Sequence, residues 1–148
     1  MAGMREIRHG RFDELDGATV YGLARLRQEV FVVEQECAYP DLDDLDTDPE
    51  TVHFWIGTGT GLVACLRMPP HGRGRRIGRV CTAATERGRG LAGALMTAAL
   101  EHAGPATDVV LDAQTRAAGF YRGHGFVEHG EEFLEDGIPH LPMLRRGR

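Results

Sequence analysis

The sequence predicts one domain of mixed α/β fold, in which strands and helices alternate in the second half of the chain. Three observations predict this fold. The chain has 148 residues, 42% of them apolar, which is enough to bury a single hydrophobic core. Two β-rich runs flank the turn-forming residues Gly57, Thr58, Gly59 and Thr60. From Leu91 onward, apolar side chains recur at helical spacing, and a short apolar strand follows.

The first half of the chain predicts a strand, a helix and three further strands. Residues 4–9 form the first strand, and residues 16–35 form a helix because their apolar side chains recur on one face. A loop rich in carboxylates follows this helix. Residues 51–58 and 61–68 then form a hairpin, and residues 75–82 form another strand.

The second half of the chain alternates between helix and strand. A helix begins at Leu91 and ends where a glycine and a proline follow each other. Residues 109–111 form a short apolar strand, and residues 115–124 form a short helix. The remaining chain is extended, with interruptions at Gly137 and Pro139.

The composition argues against several classes of protein. No apolar run approaches the roughly 20 residues that a membrane-spanning helix needs. The formal net charge of −5 and the pI near 5.8 argue against an extended nucleic-acid-binding surface. The first residues lack the apolar segment of a secretory signal. We therefore expect a cytoplasmic protein that binds neither nucleic acid nor membrane.

The cysteines and histidines give no sign of a metal site. Cys37, Cys65 and Cys81 are odd in number, lie far apart and form no C-x-x-C pair. The seven histidines lack the spacing of metal ligands. We expect three reduced cysteines and no bound metal.

A glycine-rich run between a predicted strand and a predicted helix is the strongest chemical signal. Its residues are Arg87, Gly88, Arg89, Gly90, Leu91, Ala92 and Gly93. Glycines allow the backbone to approach a ligand closely, and the first N–H groups of a helix favour an anion. Arginines can add forked hydrogen bonds to phosphate oxygens. The run therefore predicts a pyrophosphate-binding loop, although glycines of this kind also serve simply to shape a turn.

The same run also fits the G-x-G-x-x-G pattern of dinucleotide-binding folds, with Asp108 and Asp112 as candidate ribose ligands. In that fold the motif follows its strand directly, whereas here residues 83–87 intervene. Too few residues follow Gly93 for a doubly wound domain. An NAD-binding oxidoreductase is accordingly only a distant alternative for this chain.

Residues 87–92 also fit the R/Q-x-x-G-x-G/A signature, and here the chain resembles the GNAT superfamily of N-acetyltransferases. Longer segments, in the same order along the chain, are similar to its ElaA-like subfamily. They are Leu26-Arg27, Val30-Phe31-Val32-Val33-Glu34-Gln35, Ile77-Gly78-Arg79-Val80, Ala113-Gln114, Phe120-Tyr121, Gly125-Phe126 and Glu135-Asp136-Gly137-Ile138-Pro139-His140. The resemblance extends from about residue 20 to residue 144.

The resemblance implies an acyl-CoA N-acyltransferase fold, with a twisted, mostly antiparallel mixed sheet flanked by helices. Its fourth and fifth strands, here residues 75–82 and 108–112, separate so that pantetheine fits between them. The implied cosubstrate is acetyl-CoA. The implied contacts come from the backbone of Val80, Cys81 and Thr82 for pantetheine and from Gly88–Gly93 for pyrophosphate. Gln114 stands where the family often has an asparagine that contacts the coenzyme.

The resemblance also implies direct transfer of the acetyl group to a primary amine. Tyr121 is the candidate general acid, because a phenol remains protonated at neutral pH and can donate to a departing thiolate. The predicted fourth strand contains no carboxylate, so Glu34 and His140 are the candidate bases. Glu34 lies near the end of the VFVVEQ segment, and histidine accepts a proton near neutral pH.

The charged loops leave alternatives open. The acidic loop of residues 41–50 fails the EF-hand pattern, since Asp46 and Val52 stand where glycine and glutamate are needed. It either attracts a cationic amine or is a solvated loop. A group of arginines near the fourth strand either binds coenzyme phosphates or keeps an edge strand soluble. The group consists of Arg73, Arg75, Arg76 and Arg79.

Taken together, the sequence predicts an acetyl-CoA-dependent N-acetyltransferase whose acceptor is a small-molecule amine or a protein amine. The competing hypothesis is a non-catalytic module that senses coenzyme A and has no efficient acid or base. No pattern distinguishes a monomer from a homodimer.

Overall fold

The computed structural model describes residues 6–148, and its strands form two sheets. The strands are β1 (Ile7–Gly10), β2 (Val52–Thr58), β3 (Gly61–Met68), β4 (Pro70–His71), β5 (Gly74–Arg76), β6 (Gly78–Thr82), β7 (Val109–Gln114), β8 (Val127–Glu128), β9 (Phe133–Glu135) and β10 (Ile138–Arg145). The first sheet has the order β1-β2-β3-β6 and the second β4-β5-β7-β10-β8, with β9 also paired to β10. Residues 4 and 5 of the predicted first strand lie outside the described residues.

The α-helices of the described chain are α1 (Gly17–Arg27), α2 (Leu91–Ala103) and α3 (Ala118–Arg122). Helix α1 begins where the N–H of Thr19 donates to the carboxylate of Asp16, 2.8 Å away. It widens into a π-helix, Gln28–Glu34. The length of the predicted helix is therefore confirmed, but only its first part is α-helical. No helix among residues 6–148 is long and apolar enough to cross a bilayer.

The first sheet separates two apolar clusters. Helix α2 packs on one face, where Leu95, Met96 and Ala99 join the buried side chains of β2 and β3. Helix α1 packs on the other face, where Leu23 and Leu26 meet the rest of a second cluster that includes Trp55, Leu62, Cys65 and Cys81. The predicted β2–β3 hairpin and the α2 helix are both confirmed.

Gly22 allows α1 to lie directly against the hairpin turn. A β-carbon at this position would come within 2.4 Å of the carbonyl oxygen of Gly59. Because that atom belongs to the backbone, a side chain could be accommodated only by moving the helix away from the sheet. The close approach thereby fixes where the π-helix that follows α1 meets the edge of the first sheet.

The predicted single strand of residues 75–82 is divided between the two sheets. Its first part, β5, runs parallel to β7, and the N–H of Ile77 donates to the carbonyl oxygen of Val110 at 2.9 Å. Its second part, β6, pairs instead with β3. Arg79, with φ of +53°, marks an irregularity in β6. The sheets therefore separate beyond Ile77, which confirms the acyl-CoA N-acyltransferase fold, splayed between its fourth and fifth strands.

The C-terminal part differs from the predictions in two details. The predicted helix of residues 115–124 consists of a 3-10 turn, Thr115–Ala117, followed by α3. Gly137 interrupts the extended chain as expected, since it forms the β9–β10 turn with φ of +77°. Pro139 does not, because it lies within β10. The fixed φ of proline is compatible with an extended strand, and only its missing N–H limits where it can stand.

The acidic loop is folded onto buried arginines. Arg27 is 2% exposed, and its guanidinium donates to the carboxylates of Asp41 at 3.0 Å and of Asp46 at 2.7 Å. Burial opposes the charge of Asp46, but the hydrogen bond from Arg27 outweighs it and lowers the pKa of Asp46 to about 2. Asp46 therefore stays ionised and holds the loop to α1.

Two strand arginines extend this cluster. Arg67 on β3 donates to Asp43 at 2.9 Å and to Asp46 at 3.0 Å, and Arg79 on β6 lies 2.9 Å from the carboxylate of Asp41. We call Arg27, Arg67, Arg79, Asp41, Asp43 and Asp46 the arginine–aspartate network. The network accounts for three of the six carboxylates in the loop, because these three neutralise internal cations.

Replacing Arg27 by methionine should lower the free energy of unfolding by about 3 kcal/mol, because it leaves buried carboxylates without their main partner. Urea unfolding measures this change. Arg25→Met is the matched control on the same helix, since the Arg25–Glu29 pair is more than half exposed. We expect that control to change stability by less than about 1 kcal/mol. Equal effects of the two substitutions would contradict a structural role for the network.

Candidate functional site

A cleft of about 700 Å³ opens where β6 and β7 separate. Its walls come from the π-helix, β6, β7, α3 and the β9–β10 turn. It brings together predicted site residues from distant parts of the chain. Those lining it are Glu34, Val80, Cys81, Thr82, Arg87, Ala92, Gln114, Tyr121 and His140.

The other predicted residues form the entrance to α2. Gly88 and Gly90 have φ values of +80° and +74°, which side chains rarely adopt, so this loop requires glycine. The carbonyl oxygen of Gly90 accepts the first helical hydrogen bond, from Ala94. The N–H groups of Leu91, Ala92 and Gly93 precede that bond and lie at the positive end of the helix dipole. This is the geometry that suits an anion.

The structure pairs two of the predicted site residues with each other. Arg87 donates to both carboxylate oxygens of Glu34, at 2.6 and 2.7 Å, and its Nε donates to the carbonyl oxygen of Thr82 at 3.1 Å. The hydrogen bond from Arg87 lowers the pKa of Glu34, and the charge of Arg116 adds to this effect. A carboxylate held in this way is a weak proton acceptor. The pair joins the end of the π-helix to the start of the glycine-rich loop.

Arg89, the other arginine of the loop, is 61% exposed and lies 3.1 Å from Glu86. It stands outside the cleft, in a position where its side chain is free to rearrange around a charged ligand. Arg87 is engaged by Glu34, and Arg89 points to solvent, so neither guanidinium is held ready for a ligand at the end of the cleft. The hydrogen-bond donors that the loop holds there are backbone N–H groups.

Tyr121 is buried in the wall of the cleft. Its ring lies 5.0 Å from that of Phe120 and 6.3 Å from that of Phe126, measured between centroids. Burial raises the pKa of the phenol to about 12, and the proximity of Cys81 acts in the same direction. Within residues 6–148, no group accepts a hydrogen bond from its hydroxyl. Tyr121 is therefore a protonated donor whose hydrogen remains available.

His140 presents one ring nitrogen as an acceptor. Its Nδ1 lies 2.7 Å from the carbonyl oxygen of Ile138, which assigns the ring hydrogen to Nδ1 in the neutral form. The ring stacks on Phe133 at 5.7 Å, and Nε2 lies 3.9 Å from a carboxylate oxygen of Glu135. The lone pair of Nε2 is thus the basic site of this imidazole.

Gln114 lies directly opposite His140 in the β7–β10 ladder. Its side-chain amide donates to that of Gln35 at 3.3 Å. Gln35 is a site residue that the sequence pattern did not single out, although it ends the VFVVEQ segment. Its position at the end of the π-helix connects that helix to the second sheet across the cleft.

Cys81 also lines the cleft, but its thiol is not a reactive group. It lies 3.6 Å from the sulfur of Cys65, its direct neighbour across the β3–β6 ladder. The hydrogen bond with Cys65 and burial raise its pKa, so the thiolate is disfavoured. The environment of Cys81 therefore argues against a covalent acyl-enzyme intermediate on this residue.

Comparison with known proteins agrees with this geometry. Residues 23–146 match the family model of the acetyltransferase (GNAT) domain. A UPF0039 protein of Mycobacterium tuberculosis is 50% identical over 139 residues, which cover 90% of this chain and 88% of that protein. The match extends over nearly the whole length of both chains.

Two crystal structures are similar in both fold and sequence. Escherichia coli ElaA is 35% identical with a TM-score of 0.89, and the match covers 97% of this chain and 100% of that chain. An acyl-CoA N-acyltransferase from Pseudomonas aeruginosa is 37% identical with a TM-score of 0.88, covering 95% of this chain and 99% of that chain.

Proposed function

This chain belongs to the GNAT acetyltransferase family, and from that premise we propose that it moves acetyl from acetyl-CoA directly to a primary amine. The acceptor is a small molecule or a protein. The observation that carries the proposal is the buried, protonated Tyr121, whose hydroxyl has no hydrogen-bond acceptor within residues 6–148 and which lines the same cleft as the edge of β6.

Coenzyme A binding is assigned mainly to backbone groups. Strand β6 is the last strand of its sheet, so one edge of Val80, Cys81 and Thr82 is free to pair with the amides of pantetheine. The turn from Gly88 to Gly93 binds the pyrophosphate through N–H groups at the start of α2. Gln114 adds a side-chain amide on the opposite wall.

The reaction moves two protons. An alkylammonium, with an ordinary pKa of about 10.4, must lose a proton before its nitrogen can attack the thioester carbonyl carbon. A C–N bond forms, the C–S bond breaks, and the departing thiolate receives the hydroxyl proton of Tyr121. The high pKa of Tyr121 ensures that this proton is present throughout the neutral range. Exchange with solvent then restores both groups.

His140 is the proposed base, and Glu34 is a positioning residue. Nε2 of His140 carries a lone pair at the cleft, whereas both oxygens of Glu34 are engaged by Arg87. Glu34 holds Arg87 at the junction between the π-helix and the glycine-rich loop. The ion pair with Arg87 lowers the affinity of the Glu34 carboxylate for a proton, so Glu34 is a weaker base than an unpaired carboxylate.

A coenzyme A sensor is the alternative function. It would need the same cleft but no proton donor at its centre. The hydroxyl of Tyr121 donates to no group of residues 6–148 and reaches the cleft, so a proton donor stands ready where a sensor would need none. The state of Tyr121 therefore favours the enzyme.

The proposed pyrophosphate site can be tested at Ala92, which lines the cleft in the first turn of α2. Ala92→Glu should weaken acetyl-CoA binding at least about tenfold more than Ala92→Gln, because only the first adds a negative charge beside the pyrophosphate. A carboxylate is favourable in the first turn of a helix, so the fold is retained. Calorimetric titration with acetyl-CoA, and with NAD as a negative control, measures the difference. Equal affinities in the two variants would exclude pyrophosphate from this position.

Tyr121→Phe should lower kcat by about a hundredfold and leave the affinity for acetyl-CoA unchanged within about twofold, because only the donated proton is lost. The assay is release of the coenzyme A thiol in the presence of a mixture of amino acids, polyamines and a peptide with a free N-terminus. Tyr21→Phe, at a position 62% exposed on α1, is the control and should match the wild type. Binding of acetyl-CoA without thiol release in the wild type would favour the sensor.

His140→Gln should lower kcat by about a hundredfold or more, because the proton acceptor is lost. Glu34→Gln should change mainly the KM for acetyl-CoA and leave kcat nearly unchanged, since it releases Arg87. Both variants are measured at the same pH with the same acceptor. Loss of kcat in Glu34→Gln instead of His140→Gln would exchange the roles of these residues.

A further inference from the structure

An ion pair stands at the point where the two sheets begin to separate. The last hydrogen bond between the diverging strands joins the N–H of Ile77 to the carbonyl oxygen of Val110. Arg76 precedes that bond on one strand, and Asp112 follows it on the other. Nη1 of Arg76 lies 3.2 Å from a carboxylate oxygen of Asp112, and both residues line the cleft.

This pair has unused hydrogen-bonding capacity, unlike the ion pairs of Arg67 and Arg87 in the same cleft. Arg67 and Arg87 are each held by both oxygens of a carboxylate. The guanidinium of Arg76 donates to a single oxygen within residues 6–148, although it carries five N–H groups. The side chains of Arg76 and Asp112 are 34% and 36% exposed. The pair can therefore accept a ligand without first breaking.

The pair also lies close to the proposed base. In the antiparallel β7–β10 ladder, His140 is opposite Gln114 and Pro142 is opposite Asp112. The side chains of two directly opposed residues lie on the same face of a sheet. Side chains two positions apart along one strand also lie on the same face. Asp112 and His140 are therefore diagonal neighbours on one face, with their α-carbons about 7–8 Å apart.

We propose that Arg76 and Asp112 select an acceptor that carries a carboxylate beside its amine, as an α-amino acid does. This inference rests on the proposed acetyl transfer and specifies its substrate class. The free N–H groups of Arg76 bind the carboxylate of the acceptor, and the remaining oxygen of Asp112 receives its ammonium group. His140, on the same face, then takes the proton that the ammonium must lose.

Charge complementarity favours a zwitterion over a simple cation. The pair is neutral overall, so a polyamine that approached Asp112 would also meet the positive charge of Arg76. A zwitterion satisfies both members with opposite charges only a few bonds apart. Hydrogen bonds between a guanidinium and a carboxylate are also among the stronger ones in proteins. The Arg76–Asp112 pair thus matches an acceptor whose amine has an anionic group beside it.

The test compares two matched sets of acceptors with the full-length chain. One is a mixture of free α-amino acids, and the other is a mixture of the corresponding α-amino acid amides, which lack only the carboxylate. Thiol release from acetyl-CoA reports transfer. Saturation-transfer NMR on protein loaded with coenzyme A reports which members bind, whether or not they react.

We expect kcat/KM for the amino acids to exceed that for the amides by at least about tenfold. Arg76→Gln should reduce this ratio to about one by raising the KM for amino acids, with the KM for acetyl-CoA unchanged within about twofold. Arg76→Lys should restore part of the preference, because it keeps the charge but not the fork. Arg73→Gln is the control, because Arg73 is exposed and outside the cleft, and it should keep the wild-type ratio.

Several results would overturn the inference. Equal use of acids and amides, or a preference that survives in Arg76→Gln, would exclude carboxylate recognition by this pair while leaving acetyl transfer intact. The absence of binding and of reaction with both mixtures would likewise reject it. Binding of amino acids that depends on Arg76 without any thiol release would instead retain the recognition site and reject the proposed transfer.

Discussion

The cleft exists because a strand has only two hydrogen-bonding edges and the segment of residues 74–82 changes partners along its length. Up to Ile77 it pairs with β7, and from Gly78 onward it pairs with β3. Once the partner changes, no strand of residues 6–148 lies beside the edge that faced β7. Unpaired backbone groups inside a protein are costly unless a ligand or water satisfies them. The change of partner therefore creates both an opening and an edge suited to an amide-bearing ligand.

The arginine–aspartate network keeps this opening in place. Arg79 lies in the irregular part of β6, where its φ of +53° turns the chain, and its guanidinium pairs with Asp41 and stacks over Tyr39 at 5.4 Å. Arg27 ties the same aspartate to α1. The helix, the acidic loop and the diverging strand thus share a set of buried and half-buried charges. Moving one of them would leave charges unpaired, which costs several kcal/mol.

The sequence predicted the elements that depend on neighbouring residues and missed those that depend on distant ones. The β2–β3 hairpin and α2 were predicted because turn residues and helical periodicity are local. The division between β5 and β6 was not, since both halves are extended and differ only in their partners. The pairing of Glu34 with Arg87 joins residues 53 positions apart, and neither segment contains a sign of the other. The acidic loop was open to two interpretations because its arginine partners lie on α1, β3 and β6.

This difference also explains why the family was recognisable when the acceptor was not. The proposed binding of coenzyme A through backbone groups requires particular conformations, such as the positive φ of Gly88 and Gly90, and these leave glycines in the sequence. Recognition of the acceptor is assigned to side chains such as Arg76, Asp112 and His140, which come from three strands of the second sheet. Each is an ordinary polar residue in its own segment. They come together because Arg76 and Asp112 stand where the pairing of β5 with β7 ends, and because the β7–β10 register places His140 on the same face as Asp112.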